Sequence, residues 1–237
     1  MAQHISRKEL KKDEVRETFA QAIQTILSHE QFTLYLVVAA LVVGLGIFGW
    51  RTYAERQTVK AFAAFDGAMR TFQAPVGAPA VPGESSYPDA TKKFTEADKQ
   101  FSDLALKYPR TRAGELARYY AALSLERLGR NDDAKKWLQG IVESRDPEVT
   151  AMAQFELAGL DDRMGQGDEA VKLYSQLMAK PTILVPKAVV MLALAGHFRT
   201  TDPSEAAKLY GQVKADYPNT PVADQADQAL ALLPSKT

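Results

Sequence analysis

The chain has 237 residues, with 29 Lys plus Arg against 29 Asp plus Glu, 46% hydrophobic and 24% charged residues, and no cysteine. That length fits one domain with accessory segments, and the balanced charge supplies none of the positive field that nucleic-acid binding draws on. Without cysteine there are no disulfides, thiolate metal sites, thiol nucleophiles or lipidated cysteine, so any attachment to a membrane is made by the polypeptide itself.

Residues 1–31 read as an amphipathic segment. Ser6 and Glu9 have the spacing of a capping box, and Leu10, Val15, Phe19, Ala22, Ile26 and Leu27 recur every three to four residues between charges. Two readings stay open: a helix lying on a membrane or partner, and a solvated extension of the segment that follows.

Residues 32–50 (FTLYLVVAALVVGLGIFGW) form an uncharged run. At a rise of about 1.5 Å per residue the run reaches about 28 Å, close to the thickness of a bilayer's hydrocarbon core. Trp50, Tyr53 and Tyr35 sit where interfacial aromatics belong, and Arg51 closes the run. A cleavable signal peptide fits poorly, because a polar segment precedes the run and no small-x-small site follows it. The run therefore predicts one uncleaved transmembrane helix. Its charges do not orient it: Arg51, Arg56 and Lys60 lie on one side, and Arg7, Lys8, Lys11, Lys12 and Arg16 on the other. Ala40 and Gly44 form a small-xxx-small pair on one face, which predicts close packing of the span against a second copy. A Gly44→Ile variant with unchanged crosslinked dimer yield would remove that expectation.

Residues 51–72 carry Val59, Phe62, Ala63, Phe65, Ala68 and Met69 without a breaker, so the helix is expected to continue past the span, straight or with a slight bend. Residues 73–89 (QAPVGAPAVPGESSYPD) hold four prolines and two glycines and predict a flexible surface loop.

From residue 90 to the C-terminus the chain repeats itself. Ala97, Ala134, Ala170 and Ala206 are separated by 37, 36 and 36 residues; four positions on stand Phe101, Leu138, Tyr174 and Tyr210, and seven on stand Leu104, Ile141, Leu177 and Val213. Gly129 and Gly165 fall where a turn would separate the two helices of a unit, and Pro109, Pro181 and Pro218 follow second helices. Small residues in a fixed column let two antiparallel helices approach closely, which predicts an all-α array of helical hairpins. Thr111, Asp146-Pro147, Asp202-Pro203-Ser204-Glu205 and Thr220-Pro221 are helix starts, the last opening a polar-faced capping helix that runs to Leu233. Residues 55–72 would pair with 91–107 as the first hairpin.

These columns resemble the tetratricopeptide repeat, here with a period of 36, Arg118 at the first-helix tryptophan position and Pro147 one residue beyond the usual proline. The resemblance implies a solenoid that binds proteins. The layout of a short N-terminal segment, one span ending Gly49-Trp50-Arg51-Thr52-Tyr53 and four repeat-like hairpins also resembles the ancillary subunit of the SecYEG translocon, the YfgM-like family. That resemblance implies a bacterial inner-membrane protein with a cytoplasmic N-terminus and periplasmic repeats. Its implied partners are translocon subunits, a periplasmic chaperone or an exported client. A structural module of an envelope or cell-division complex is the alternative.

Signals for chemistry are weak. Gly44-Leu45-Gly46-Ile47-Phe48-Gly49 has the spacing of a dinucleotide loop but lies inside the span; His4, His29 and His197 are scattered; Asp132-Asp133 and Asp161-Asp162 sit at helix ends. No enzymatic activity, cofactor, metal, nucleic acid or small-molecule substrate is expected. The expected site is a groove along the first helices, where Tyr119, Phe155 and Met191 recur at 36-residue spacing and Arg127, Arg163 and Arg199 do the same. The apolar column would supply contact and the arginines would grip carboxylates or carbonyls of a partner segment. Core packing and helix-end charge complementarity are the competing readings of the two columns.

Overall fold

The computed structural model describes residues 30–77, 86–142, 144 and 146–233. The amphipathic segment expected at residues 1–31 lies almost wholly outside them. The described residues form nine helices: α1 (Glu30–Gln73), α2 (Ala90–Lys107), α3 (Arg112–Arg127), α4 (Asn131–Gln139), α5 (Pro147–Arg163), α6 (Gly167–Ala179), α7 (Lys187–Thr201), α8 (Pro203–Asp216) and α9 (Pro221–Ala231). The chain divides into two compact units, Met1–Arg56 and Gln57–Thr237.

In the first unit, α1 presents residues 34–50 with every side chain exposed. Nothing lies within 4 Å of a Cβ placed at Gly44, Gly46 or Gly49. A protein in water rarely leaves so long an apolar surface uncovered. Among the described residues α1 is the one helix long and apolar enough to cross a membrane. As expected from the absence of a breaker after residue 50, the helix continues past the span, and Glu30–Gln73 is one helix with no proline to interrupt it.

In the second unit the end of α1 is the first helix of the first hairpin. Ala61, Ala68 and Thr71 are buried, and Phe65 and Phe72 meet α2 and α3. Phe101 is the centre of this contact, with ring centroids 5.7 Å from Phe65, 6.1 Å from Phe72 and 5.4 Å from Tyr120. The pairs α3–α4, α5–α6 and α7–α8 form the next three hairpins, and α9 packs on α8 at the end. The repeat columns are the seams between helices. Ala97, Ala134, Ala170 and Ala206 are all 0% exposed, and Phe101, Leu138, Tyr174, Tyr210, Leu104, Ile141, Leu177 and Val213 are buried beside them.

Local chemistry sets the turns. Gly129 and Gly165 adopt φ of 73° and 78°, the left-handed conformation that closes a helix C-terminus. Arg130 N then donates to Leu125 O at 2.9 Å, and Gln166 N to Asp161 O at 2.7 Å. Thr111 Oγ1 accepts from Gly114 N at 3.1 Å and donates to Tyr108 O at 2.9 Å; Thr220 repeats both bonds with Ala223 N and Tyr217 O. Asp146 and Asp202 cap α5 and α8 ahead of proline. The Glu205 side chain pairs with Lys208 at 3.1 Å rather than reaching back to the cap. The last helix stops at Ala231, two residues short of the expected Leu233.

The loop expected to be flexible has fastened ends. Gly77 N donates to Tyr87 O at 2.8 Å and Tyr87 N to Pro75 O at 3.2 Å, while Lys93 Nζ donates to Ala74 O at 3.0 Å. Asp89 accepts from Lys92 N at 2.7 Å to start α2.

Candidate partner-binding surface

The first helices α3, α5 and α7 carry both columns of the expected groove, and the structure treats their members differently. Tyr119 and Phe155 are half-buried: Tyr119 meets Tyr120 edge-to-face at 5.4 Å, and Phe155 meets Tyr174 at 5.9 Å. Met191 is 3% exposed, packed in the core that holds Val190, Leu194 and Leu177. It is therefore not a groove residue. The reason is the make-up of α7, which is apolar almost all round and contacts α5, α6, α8 and α9, so no face at that position is free.

The arginines also part ways. Arg127 and Arg199 are exposed and, among the described residues, in no salt bridge. Arg163 is already engaged by Glu126 of α3 and, at 3.4 Å, by Glu156 of its own helix. The middle rung of the expected ladder thus ties one repeat to the next. Sequence reasoning passed over Glu126 and Glu156. The available signal was an acid 37 residues before the arginine, a diagonal across two units rather than a column.

Arg163 meets the carboxylates of Glu126 and Glu156, and the phenols of Tyr119 and Tyr174 lie close enough to feel Glu156. Burial, then the nearby Glu156, pushes Glu126 up to about 7, and Glu126 Oε1 is buried without a hydrogen-bond partner among the described residues. Burial and Glu156 also raise Tyr119 above the usual phenol range, and burial with Asp162 and Glu156 pushes Tyr174 up to about 12. Both phenols are therefore neutral donors at physiological pH. Because Glu126 and Glu156 already occupy Arg163, that guanidinium is not free to grip a partner's carboxylate as the arginine column alone had suggested.

A pH dependence follows. Glu126 takes its proton near 7 in the folded chain and near 4.5 when unfolded, so the fold holds an extra proton between these values. Its stabilising contribution is complete below about 4.5 and is lost as pH rises through about 7. Glu126→Gln should flatten that part of the stability profile by about 1–2 kcal/mol, read from thermal unfolding in detergent at several pH values. An unchanged slope would place the proton elsewhere.

Other polar links join neighbouring units: Arg112 to Asp146 at 3.1 Å, Lys135 to the buried Asp161 at 2.6 Å, and His197 Nδ1 to Asp162 at 2.6 Å. His197 is thus a packed inter-repeat residue, while His4 and His29 lie outside the described residues. Gly44, Gly46 and Gly49 are within α1, whose amides are committed to helix bonds, so no phosphate cradle forms there. Ala40 lies with Gly44 on the exposed part of α1. Among the described residues no group of three His, Asp or Glu side chains is placed to hold a metal ion. A cavity of about 780 Å³ lies between the start of α5 and the end of α6, lined by Thr150, Gln154, Gln176 and Lys180.

Comparison with known proteins agrees with this architecture. Residues 11–181 match the family described as the tetratricopeptide repeat-like domain. Among solved structures, the nearly identical TPR-like repeats of a candidate kinesin light chain from Podosopora anserina superpose with a TM-score of 0.54 at 18% identity, covering 73% of this chain and 84% of that one. A substituted form of the same protein gives a TM-score of 0.55 with the same identity and coverage. Among curated proteins nothing matches.

Proposed function

The chain belongs to the tetratricopeptide repeat-like domain family, and from that premise we propose that it is a non-catalytic, membrane-tethered scaffold that holds other proteins. The observation that carries this reading is the continuity of α1. One helix contains both the uncovered apolar stretch 34–50 and the buried residues Ala61, Ala68 and Thr71 that complete the first hairpin. The anchor and the binding body thus share a secondary-structure element. The layout further supports placement in a bacterial inner membrane, residues 1–31 in the cytoplasm and the repeats in the periplasm. There the scaffold would work beside the Sec translocon, passing exported chains to chaperones.

The interaction surface we propose comprises the half-buried Tyr119 and Phe155, the acids Glu126 and Glu156, and the exposed Arg127 and Arg199. The test is affinity capture from membranes in mild detergent, comparing the native chain with an Arg127→Gln/Arg199→Gln variant. Arg163 is left in place, since its removal would strand Glu126. Translocon components captured by the native chain and lost with the variant are the expected result. Cell-division or outer-membrane assembly components would favour the structural-module alternative, and capture unchanged by the variant would take the arginines out of the surface.

A further inference from the structure

Between α6 and α7 the chain runs Lys180-Pro181-Thr182-Ile183-Leu184-Val185-Pro186, and it holds two aliphatic side chains away from the repeat body. Ile183 is 86% exposed and Leu184 54%. The loop is braced. Thr182 N donates to Val185 O at 3.2 Å, Val185 N donates to Thr182 Oγ1 at 3.1 Å, and the Val185 side chain is buried in the core. From α5, the Glu148 carboxylate accepts Ile183 N at 3.1 Å and Leu184 N at 2.9 Å. Prolines at both ends restrict the backbone further. The exposed pair is therefore presented in a fixed conformation, which spares a partner the cost of ordering it.

The unpaired charges beside the tip, among the described residues, are positive. Lys180 and Lys187 are exposed, flank the apolar residues and, among the described residues, take part in no salt bridge. The acid that reaches the tip, Glu148, is occupied by the loop's own amides, and Asp146 at the same end of α5 is paired with Arg112. Anchors of protein interfaces are mainly aromatic residues or arginine, and lysine is depleted there. Two aliphatic residues between lysines have instead the chemistry of a bilayer boundary, where apolar tips enter the acyl region and ammonium groups stay among anionic headgroups.

We propose that the 180–187 loop is a membrane-contact site, in which Ile183 and Leu184 insert at the surface of an anionic bilayer while Lys180 and Lys187 engage lipid phosphates. This rests on the membrane-anchored reading above, which tethers the chain to a bilayer. The contact would give the scaffold a second point of attachment.

The test uses the full chain, whose lack of cysteine makes any introduced one unique. Ile183→Cys, labelled with an environment-sensitive fluorophore, is reconstituted into phosphatidylcholine vesicles containing roughly one-quarter phosphatidylglycerol and, in parallel samples, a shallow or a deep nitroxide lipid, the deep one reporting the span. The label is expected to be quenched about threefold or more. Lys180→Gln/Lys187→Gln, or omission of phosphatidylglycerol, should return most of the signal. A label at the exposed Leu232 should stay bright, and one at Val42 reports the span separately. Quenching at Val42 but not at Ile183 overturns the loop inference and leaves the anchor standing; loss at both overturns both. Equal quenching at Ile183 and Leu232 shows only general proximity and also overturns it. A label at Ile183 that ignores lipid but shifts to the blue with a soluble protein extract assigns the tip to a protein partner, against the proposal.

Discussion

Phe101→Ala should be among the most damaging single substitutions in this chain, costing about 3–5 kcal/mol of stability. The ring is fully buried and is the hub of a cluster with Phe65, Phe72 and Tyr120, so its removal leaves a cavity where α1, α2 and α3 meet. Edge-to-face and stacked contacts are lost along with apolar burial. In an array where each hairpin touches only its neighbours, the damage should stay local. Hydrogen exchange is expected to rise in α2 and the end of α1 while α7 to α9 keep their protection. Unchanged exchange in α2, or a uniform rise through α9, would contradict this packing scheme.

Gly114→Ala should also destabilise, by about 3 kcal/mol, although the same change inside a helix ordinarily stabilises by about 0.5–1 kcal/mol. A Cβ at position 114 would lie 2.0 Å from Tyr108 O and 2.8 Å from Tyr108 C, both backbone atoms of the turn that Thr111 ties to α3. Neither can move without opening the α2–α3 connection. Gly211 in α8 is the control, because nothing lies within 4 Å of its would-be Cβ, so Gly211→Ala should raise stability by about 0.5–1 kcal/mol. Opposite signs in chemical denaturation are the expected result. Stabilisation by both substitutions would mean that the Tyr108 turn is not as close as described.

The parts of the fold that were legible in the sequence rest on short-range physics. The seam columns led by Ala97 and Phe101 depend on side-chain size at a fixed period. The helix starts at Thr111, Asp146, Asp202 and Thr220 depend on groups within three residues, and so do the turns at Gly129 and Gly165. The site was less legible. Whether Met191 faces out or in is decided by how many helices surround α7, and periodicity cannot count them. Arg163 belongs to a column of three, yet its partner Glu126 lies off the column on another helix. The fastening of Pro75 and Gly77 to Tyr87, across a stretch rich in proline, and the Glu148 brace under Ile183 are likewise tertiary contacts between residues with no local pattern.

The central proposal is that α1 carries the repeats across a membrane to meet their partners on the far side. It is tested most directly by fusing a reporter that is active only in the periplasm after Thr237 of the full chain. The account predicts an active reporter, with activity lost when the apolar stretch 34–50 is deleted. A silent reporter, together with activity of a cytoplasm-only reporter fused at the same position, would contradict it.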